Sequence, residues 1–409
     1  MKLREWAQLS AVFCLLSCSS SSDTPSDEAG QPLIDFDRQA LLEQWLQNPV
    51  ARDAQAFQLS SESLATQINL LCDQLSGASD FQGQFVSARK QWRETMENWQ
   101  RIEAYQFGPL ADLAGTRRFD IYTWPLVNSC AVDRQVALLA NNPENFTISD
   151  NDSVKGLAAI EYLLFDDDAA HSCTEAVTET QGWNERVEAE RYEYRCRYLQ
   201  ILSEDLNSQA VELQSAWEEA TQVWLAEASD QDLQNRINQI SDSLFYLDAT
   251  VKDKKLGAPL GIHPSCRAET CPEQIEHSIS GFSLSAIRAN LQGFQSFYLG
   301  ADPNEASDAL GFDDYLTAAG AEELAQQMTE HLETAIASAE QLEEEDSLLN
   351  LVNRFTASEC DPTSAEAVEG EQAVCDLYRQ IKKITDELKS EFVQILQLST
   401  PAQSSGDND

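Results

Sequence analysis

Apolar residues recur along this chain at steps of three and four. Phe81, Phe85, Ala88, Trp92, Met96, Trp99 and Ile102 make one stripe, and Trp183, Val187, Tyr194, Tyr198 and Leu202 make another. Leu233, Ile237, Ile240, Leu244 and Leu247 repeat the pattern, as do Leu377, Ile381, Ile384, Leu388, Phe392 and Ile395. That spacing gathers apolar side chains on one face of an α-helix and leaves charges on the other. Ser79 with Gln82 predicts a capping box at the start of the first stripe, and Gly108-Pro109 predicts its stop. Sustained strand alternation and Asn-Gly hairpin signals are both missing. The pattern predicts an all-α protein of two packed antiparallel helical bundles.

Breakers divide the pattern. Glycines and prolines predict long loops at 108–128, 256–272 and 299–311. We expect a first bundle over 35–210, a second over 211–399 and a disordered acidic tail at 400–409. Ahead of these, Lys2 and Arg4 precede an apolar run from Trp6 to Leu16, too short to span a bilayer and suited to a secretory signal. Leu15-Leu16-Ser17-Cys18 then reads as a lipobox, so residues 1–17 are expected to be removed and Cys18 to carry lipid. Residues 18–34 read as a flexible tether. Ser19 after the lipidated cysteine favours an outer-membrane lipoprotein facing the periplasm of a Gram-negative cell, with lipid as its membrane contact.

Composition narrows the function. The 409 residues carry 27 Lys and Arg against 69 Asp and Glu, a formal charge of -42. Such a surface repels phosphate backbones and excludes a nucleic-acid binder. Setting aside Cys14 and Cys18 leaves Cys72, Cys130, Cys173, Cys196, Cys266, Cys271, Cys360 and Cys375, an even count in a chain expected to be exported, so disulfides are expected. Eight cysteines allow 105 pairings. Closeness in sequence suggests Cys266–Cys271, Cys360–Cys375 and Cys173–Cys196, leaving Cys72–Cys130. A zinc site at His263, Cys266 and Cys271 is disfavoured because it lacks a second ligand pair. No HExxH helix, GxSxG elbow or GxxxxGK phosphate loop occurs.

Candidate chemistry lies in acids on apolar faces. Glu161 sits in Gly156-Leu157-Ala158-Ala159-Ile160-Glu161-Tyr162-Leu163-Leu164-Phe165, where it cannot face water without exposing leucines. Buried, it needs a cation, a donor or a raised pKa. Glu103 follows Trp99 by four, and Asp120 lies between Arg118 and Trp124. These three carboxylates could converge on one hard cation. The competing reading pairs each with one of Arg89, Arg93, Arg101, Arg117 or Arg118.

Several blocks together resemble the imelysin-like family. They are Trp92 to Trp99 with Arg101-Ile102-Glu103-Ala104-Tyr105-Gln106-Phe107-Gly108-Pro109, then Asp120-Ile121-Tyr122-Thr123-Trp124-Pro125, then Lys155-Gly156 to Phe165. In the second half they are Lys255-Leu256-Gly257-Ala258-Pro259-Leu260-Gly261 and Glu276 to Gly300, including Ser278, Ser280, Asn290 and Tyr298. The resemblance implies two helical bundles in an envelope protein. The family is classed with metallopeptidases, and many of its members resemble parts of bacterial iron uptake. Its GxHxxE signature is kept here at Gly156 and Glu161, with Ala158 where the histidine belongs. Iron-uptake members also carry an ExxE pair, whose place Gln100 and Glu103 take. The missing histidine weighs against a peptidase, since catalytic zinc usually has three protein ligands. The reading is therefore a non-enzymatic envelope lipoprotein related to iron uptake. It would bind iron or another divalent or trivalent cation through Glu103, Asp120 and Glu161, or bind an iron-transport or envelope partner. A metallopeptidase and a structural scaffold are the alternatives.

Overall fold

A computed structural model describes residues 34–75, 81–303, 305, 308–364, 366 and 370–401. The signal, Cys18 and the tether up to 33, Ser79 of the expected capping box, and the tail from 402 lie outside the described residues. From Asp35 onward the chain is one compact unit.

The apolar stripes become helices, and no strand occurs among the described residues. Helix α1 (Arg38–Trp45) is capped by Asp37, whose side chain accepts the Ala40 N–H. It runs through a widened turn at Leu46–Val50, where Pro49 can donate no hydrogen bond, into α2 (Ala51–Leu75). Helix α3 (Val86–Glu103) buries Trp92, Met96, Trp99 and Ile102. It packs against α2, with the Thr95 hydroxyl on the Ser60 carbonyl and Trp99 against Phe57. Helices α4 (Ser129–Asn141) and α5 (Gly156–Phe165) lead to α6 (Glu188–Trp224), which at 37 residues is about 55 Å long. Helix α6 runs antiparallel to α2: Gln200 reaches Asn69, and Cys196 is bonded to Cys72. These helices form the first bundle. The boundary placed between 210 and 211 falls inside α6, because Ala210, Leu213 and Trp217 continue the buried face that begins at Tyr192.

Helix α7 (Asp230–Leu244) starts with a Ser229–Asp232 capping box. An eleven-residue π-helical stretch, Leu247–Gly257, follows and buries both Lys252 and Lys255. Helices α8 (Ser283–Tyr298), α9 (Glu322–Glu345) and α10 (Ala373–Glu387) complete the second bundle. Helix α3 packs against α2 on one side and α8 on the other, so both bundles share it. The α3–α8 approach is close: a Cβ at Gly293 would lie 2.2 Å from the Arg101 carbonyl oxygen.

Four disulfides are present among the described residues. Cys266–Cys271 and Cys360–Cys375 are as expected, which leaves no free thiolate for zinc beside His263. The expected Cys173–Cys196 and Cys72–Cys130 are replaced by Cys72–Cys196 and Cys130–Cys173. Nearness in sequence misleads because the antiparallel packing of α2 on α6 brings Cys72 and Cys196 to a Cα separation of 5.6 Å across 124 residues. Two further expectations change. Within the loop expected at 108–128 lies a six-residue helix, Thr116–Ile121. Trp183 precedes α6 rather than beginning it, and its indole N–H donates to the Ala169 carbonyl. No described helix is long and apolar enough to cross a membrane.

Candidate functional site

Where α3, α5, α8, the π-helical stretch and the segment before α8 meet, they enclose a polar network in the interior. It begins at Lys255, whose side chain is 1% exposed. The ammonium donates to Gln100 Oε1 at 2.6 Å, Asn290 Oδ1 at 2.9 Å and Glu103 Oε2 at 3.0 Å. An ammonium has three N–H groups, and these acceptors use all three. Glu276 Oε2 stands 3.1 Å away as an ion pair outside hydrogen-bond geometry. Four oxygens from three segments thus surround one internal cation. Asn290 fixes the cage by donating to the Gln100 carbonyl at 2.7 Å.

The network continues from Glu276. The Tyr122 hydroxyl donates to Glu276 Oε1 at 2.7 Å and lies 3.2 Å from His277 Nε2. On its other side, His277 Nδ1 is 2.7 Å from Glu161 Oε2. Glu161 Oε1 accepts the Ser280 hydroxyl at 2.6 Å. Tyr122 has one proton, and it points to Glu276 in the hydrogen bond. The contact with His277 is then attractive only if Nε2–H donates to the phenol oxygen, while Nδ1–H donates to Glu161. The geometry therefore calls for a doubly protonated, cationic His277.

The electrostatics agree. Burial alone would lower the His277 pKa, but Glu161 and Glu276 outweigh it and raise it above its ordinary value. Burial would raise Glu276, and the Lys255 ammonium and His277 instead bring it below the usual carboxylate range. Burial, followed by the fields of Glu276, Glu103 and Glu161, holds Tyr122 well above its ordinary value, so it keeps its proton. Arg93 also lies near enough to feel the charge of Glu161. The rings of Trp92, Tyr122 and Phe282 pack around His277.

Glu103 and Glu161 both belong to this network, at opposite ends. Asp120 does not: it is half-buried and accepts from Lys155 Nζ at 2.5 Å. The expected set of three carboxylates around one ion is not formed. Among the described residues, no group of three or more His, Cys, Asp or Glu side chains is arranged to hold a metal ion. Among the described residues none of the expected arginines forms an ion pair with Glu103, Asp120 or Glu161, although Arg93 feels the charge of Glu161. Arg89 bonds the Leu164 carbonyl and Asp167, Arg93 the Ser280 carbonyl, Arg101 Asp302 and Ser296, and Arg117 the Pro109 carbonyl. Gly156 is required by its position, with φ +69° and a would-be Cβ 2.4 Å from the Ile121 carbonyl oxygen. Ala158 is buried on the same helix. His277, absent from the expected site, lies beside Glu161 although it is 116 residues further along the chain. Its only sequence signal was an ionisable pair, Glu276-His277, in the segment that leads to α8 (Ser283–Tyr298).

The imelysin family model matches residues 50–388. The chain belongs to the imelysin family. It is 29% identical over 227 residues to "Iron-regulated protein A" of Synechococcus elongatus, a match covering 52% of this chain and 52% of that protein. The chain thus spans about half the length of that relative. A crystal structure of an imelysin-like protein from Psychrobacter arcticum 273-4 superposes over 91% of this chain and all of its own, with a TM-score of 0.59 at 19% identity. A solved structure from Parabacteroides distasonis covers 90% of this chain and 98% of its own, with a TM-score of 0.60 at 14% identity. At those identities the likeness establishes the imelysin fold.

The imelysin signature implies a metal between its histidine and glutamate, and the residues present do not fit one. Ala158 offers no ligand, both oxygens of Glu161 already accept, and the place where oxygens converge is filled by the Lys255 ammonium.

Proposed function

We propose that this protein is an iron-related lipoprotein of the cell envelope that acts by binding and not by catalysis. The observation that carries this reading is the Lys255 ammonium, held by three hydrogen bonds and an ion pair among Gln100, Glu103, Asn290 and Glu276. A cation built into the chain takes the role that an external ion would otherwise have there. A catalytic metal also needs an open coordination position and a base free to move a proton, and each acid here is already engaged. The relation to iron is supported by the curated relative's name and by the family. Attachment through Cys18 is supported by the lipobox at 15–18.

The test is elemental analysis of purified protein, calorimetric titration with iron(III), calcium and zinc, and incubation with denatured casein. We expect far less than one metal per chain, no saturable heat and no cleavage. Stoichiometric metal, or cleavage abolished by a chelator, overturns the reading. Radiolabelled palmitate should enter the wild type and not Cys18→Ser.

A further inference from the structure

Beside the buried network, separated from it by Tyr246, lies a cavity of about 390 Å³ between the loop after α3 and the start of the π-helical stretch. Its charge differs from the rest of the chain. Acids outnumber bases 69 to 27 overall, yet this wall carries two cations, Arg118 and Lys254, and a single acid, Asp242. Burial holds the Asp242 carboxyl above its usual range, and the Ser399 hydroxyl only partly opposes that. Among the described residues neither Arg118 nor Lys254 has a carboxylate partner. One buried polar atom at this wall, Arg118 Nε, has no hydrogen-bond partner. Burial first, and then Glu103 by its charge and as a hydrogen-bond acceptor, holds Tyr246 well above its ordinary value, so it stays protonated. Buried donors are rarely left without partners, and such exceptions call for an explanation.

The rim adds a second observation. Leu113, Ala114 and Gly115 follow one another in the left-handed region, at φ 53°, 58° and 79°. For the two non-glycine residues this is a strained conformation, with Cβ crowded against the following carbonyl oxygen. Strain of that kind is retained where surrounding structure enforces it and is concentrated at ligand sites. Here it turns the chain so that Ala114 and Arg118 face the same cavity.

We infer that this cavity binds a small organic anion carrying two or more carboxylates. Arg118 and Lys254 stand on separate elements, which suits a ligand with separated charges, and a guanidinium fork matches a carboxylate. The volume exceeds what a lone phosphate needs and falls within the range of small-molecule sites. Leu110 and Ala111 offer apolar surface to a short carbon skeleton. This deepens the binding role proposed above by naming a ligand class, and rests on that role.

The test is calorimetric titration of the whole protein with citrate, succinate and inorganic phosphate at fixed salt. Arg118→Gln, Lys254→Gln and Ala111→Trp variants are compared, each with its thermal melt. We expect saturable citrate binding that weakens at least tenfold in either charge variant, is lost on filling the cavity with Ala111→Trp, and returns in part with Arg118→Lys. No saturable citrate binding overturns the proposal. So does citrate affinity unchanged in both charge variants, or phosphate binding tighter than citrate with the same sensitivities. Failure here leaves the metal and cleavage assays untouched, so the two readings fail separately.

Discussion

At the scale of single residues, Lys255 holds the interior together. Removing one partner of a buried charge cluster leaves the others without compensation, at a cost of about 3–5 kcal/mol. Lys255→Met should therefore lower stability by roughly that amount in urea unfolding, and by less near pH 4, where a carboxylate freed of its cation can take up a proton. His277 provides a separate pH signature. Its folded pKa is raised above the ordinary 6.5, so its contribution is complete below about 6.5 and is lost as pH rises through the folded value. Urea midpoints measured from pH 6 to 9 should fall more steeply for the wild type than for His277→Gln. Glu276, with its pKa lowered, contributes above its ordinary 4.5 and loses that contribution as pH falls through the folded value. At this scale the sequence was half legible. Glu161 and Glu103 could be recognised as buried acids, because each shares a helical face with large apolar residues. Their partners could not, since Lys255, Glu276, His277 and Asn290 come from the other half of the chain and only tertiary packing selects them.

At the scale of elements, close approach sets the geometry. An alanine usually stabilises a helix relative to glycine by roughly 0.5–1 kcal/mol. At Gly293 the sign should reverse, because the new methyl would meet the Arg101 carbonyl at 2.2 Å and part α3 from α8. Gly293→Ala should lose stability and loosen the Asn290–Gln100 hydrogen bonds, seen as faster amide exchange at the end of α3. The opposite change is expected at the rim: Ala114→Gly should raise stability by about 1 kcal/mol through relief of left-handed strain, read from the thermal midpoint. Helices were the most legible feature of the sequence, because periods of three and four record which face is buried. The π-helical stretch was not legible. Its wider turns bury two lysines three residues apart, and no apolar period announces that.

At the scale of the molecule, covalent links and shared helices decide behaviour. Cys72–Cys196 closes a loop spanning 124 residues, which in a chain-entropy account stabilises the fold by about 4–5 kcal/mol. Replacing both cysteines by serine should lower the melting temperature far more than the same change at Cys266 and Cys271, which are only five residues apart. The two local disulfides could be read from the sequence and the two long-range ones could not, because helix direction and not distance along the chain chooses the partners. Helix α3 lies between α2 and α8, so neither bundle has a complete interior without it. A wall common to two rooms cannot fall for one alone. Scanning calorimetry should accordingly record a single heat-absorption peak, and a change at this wall should shift the melting of both halves by the same number of degrees.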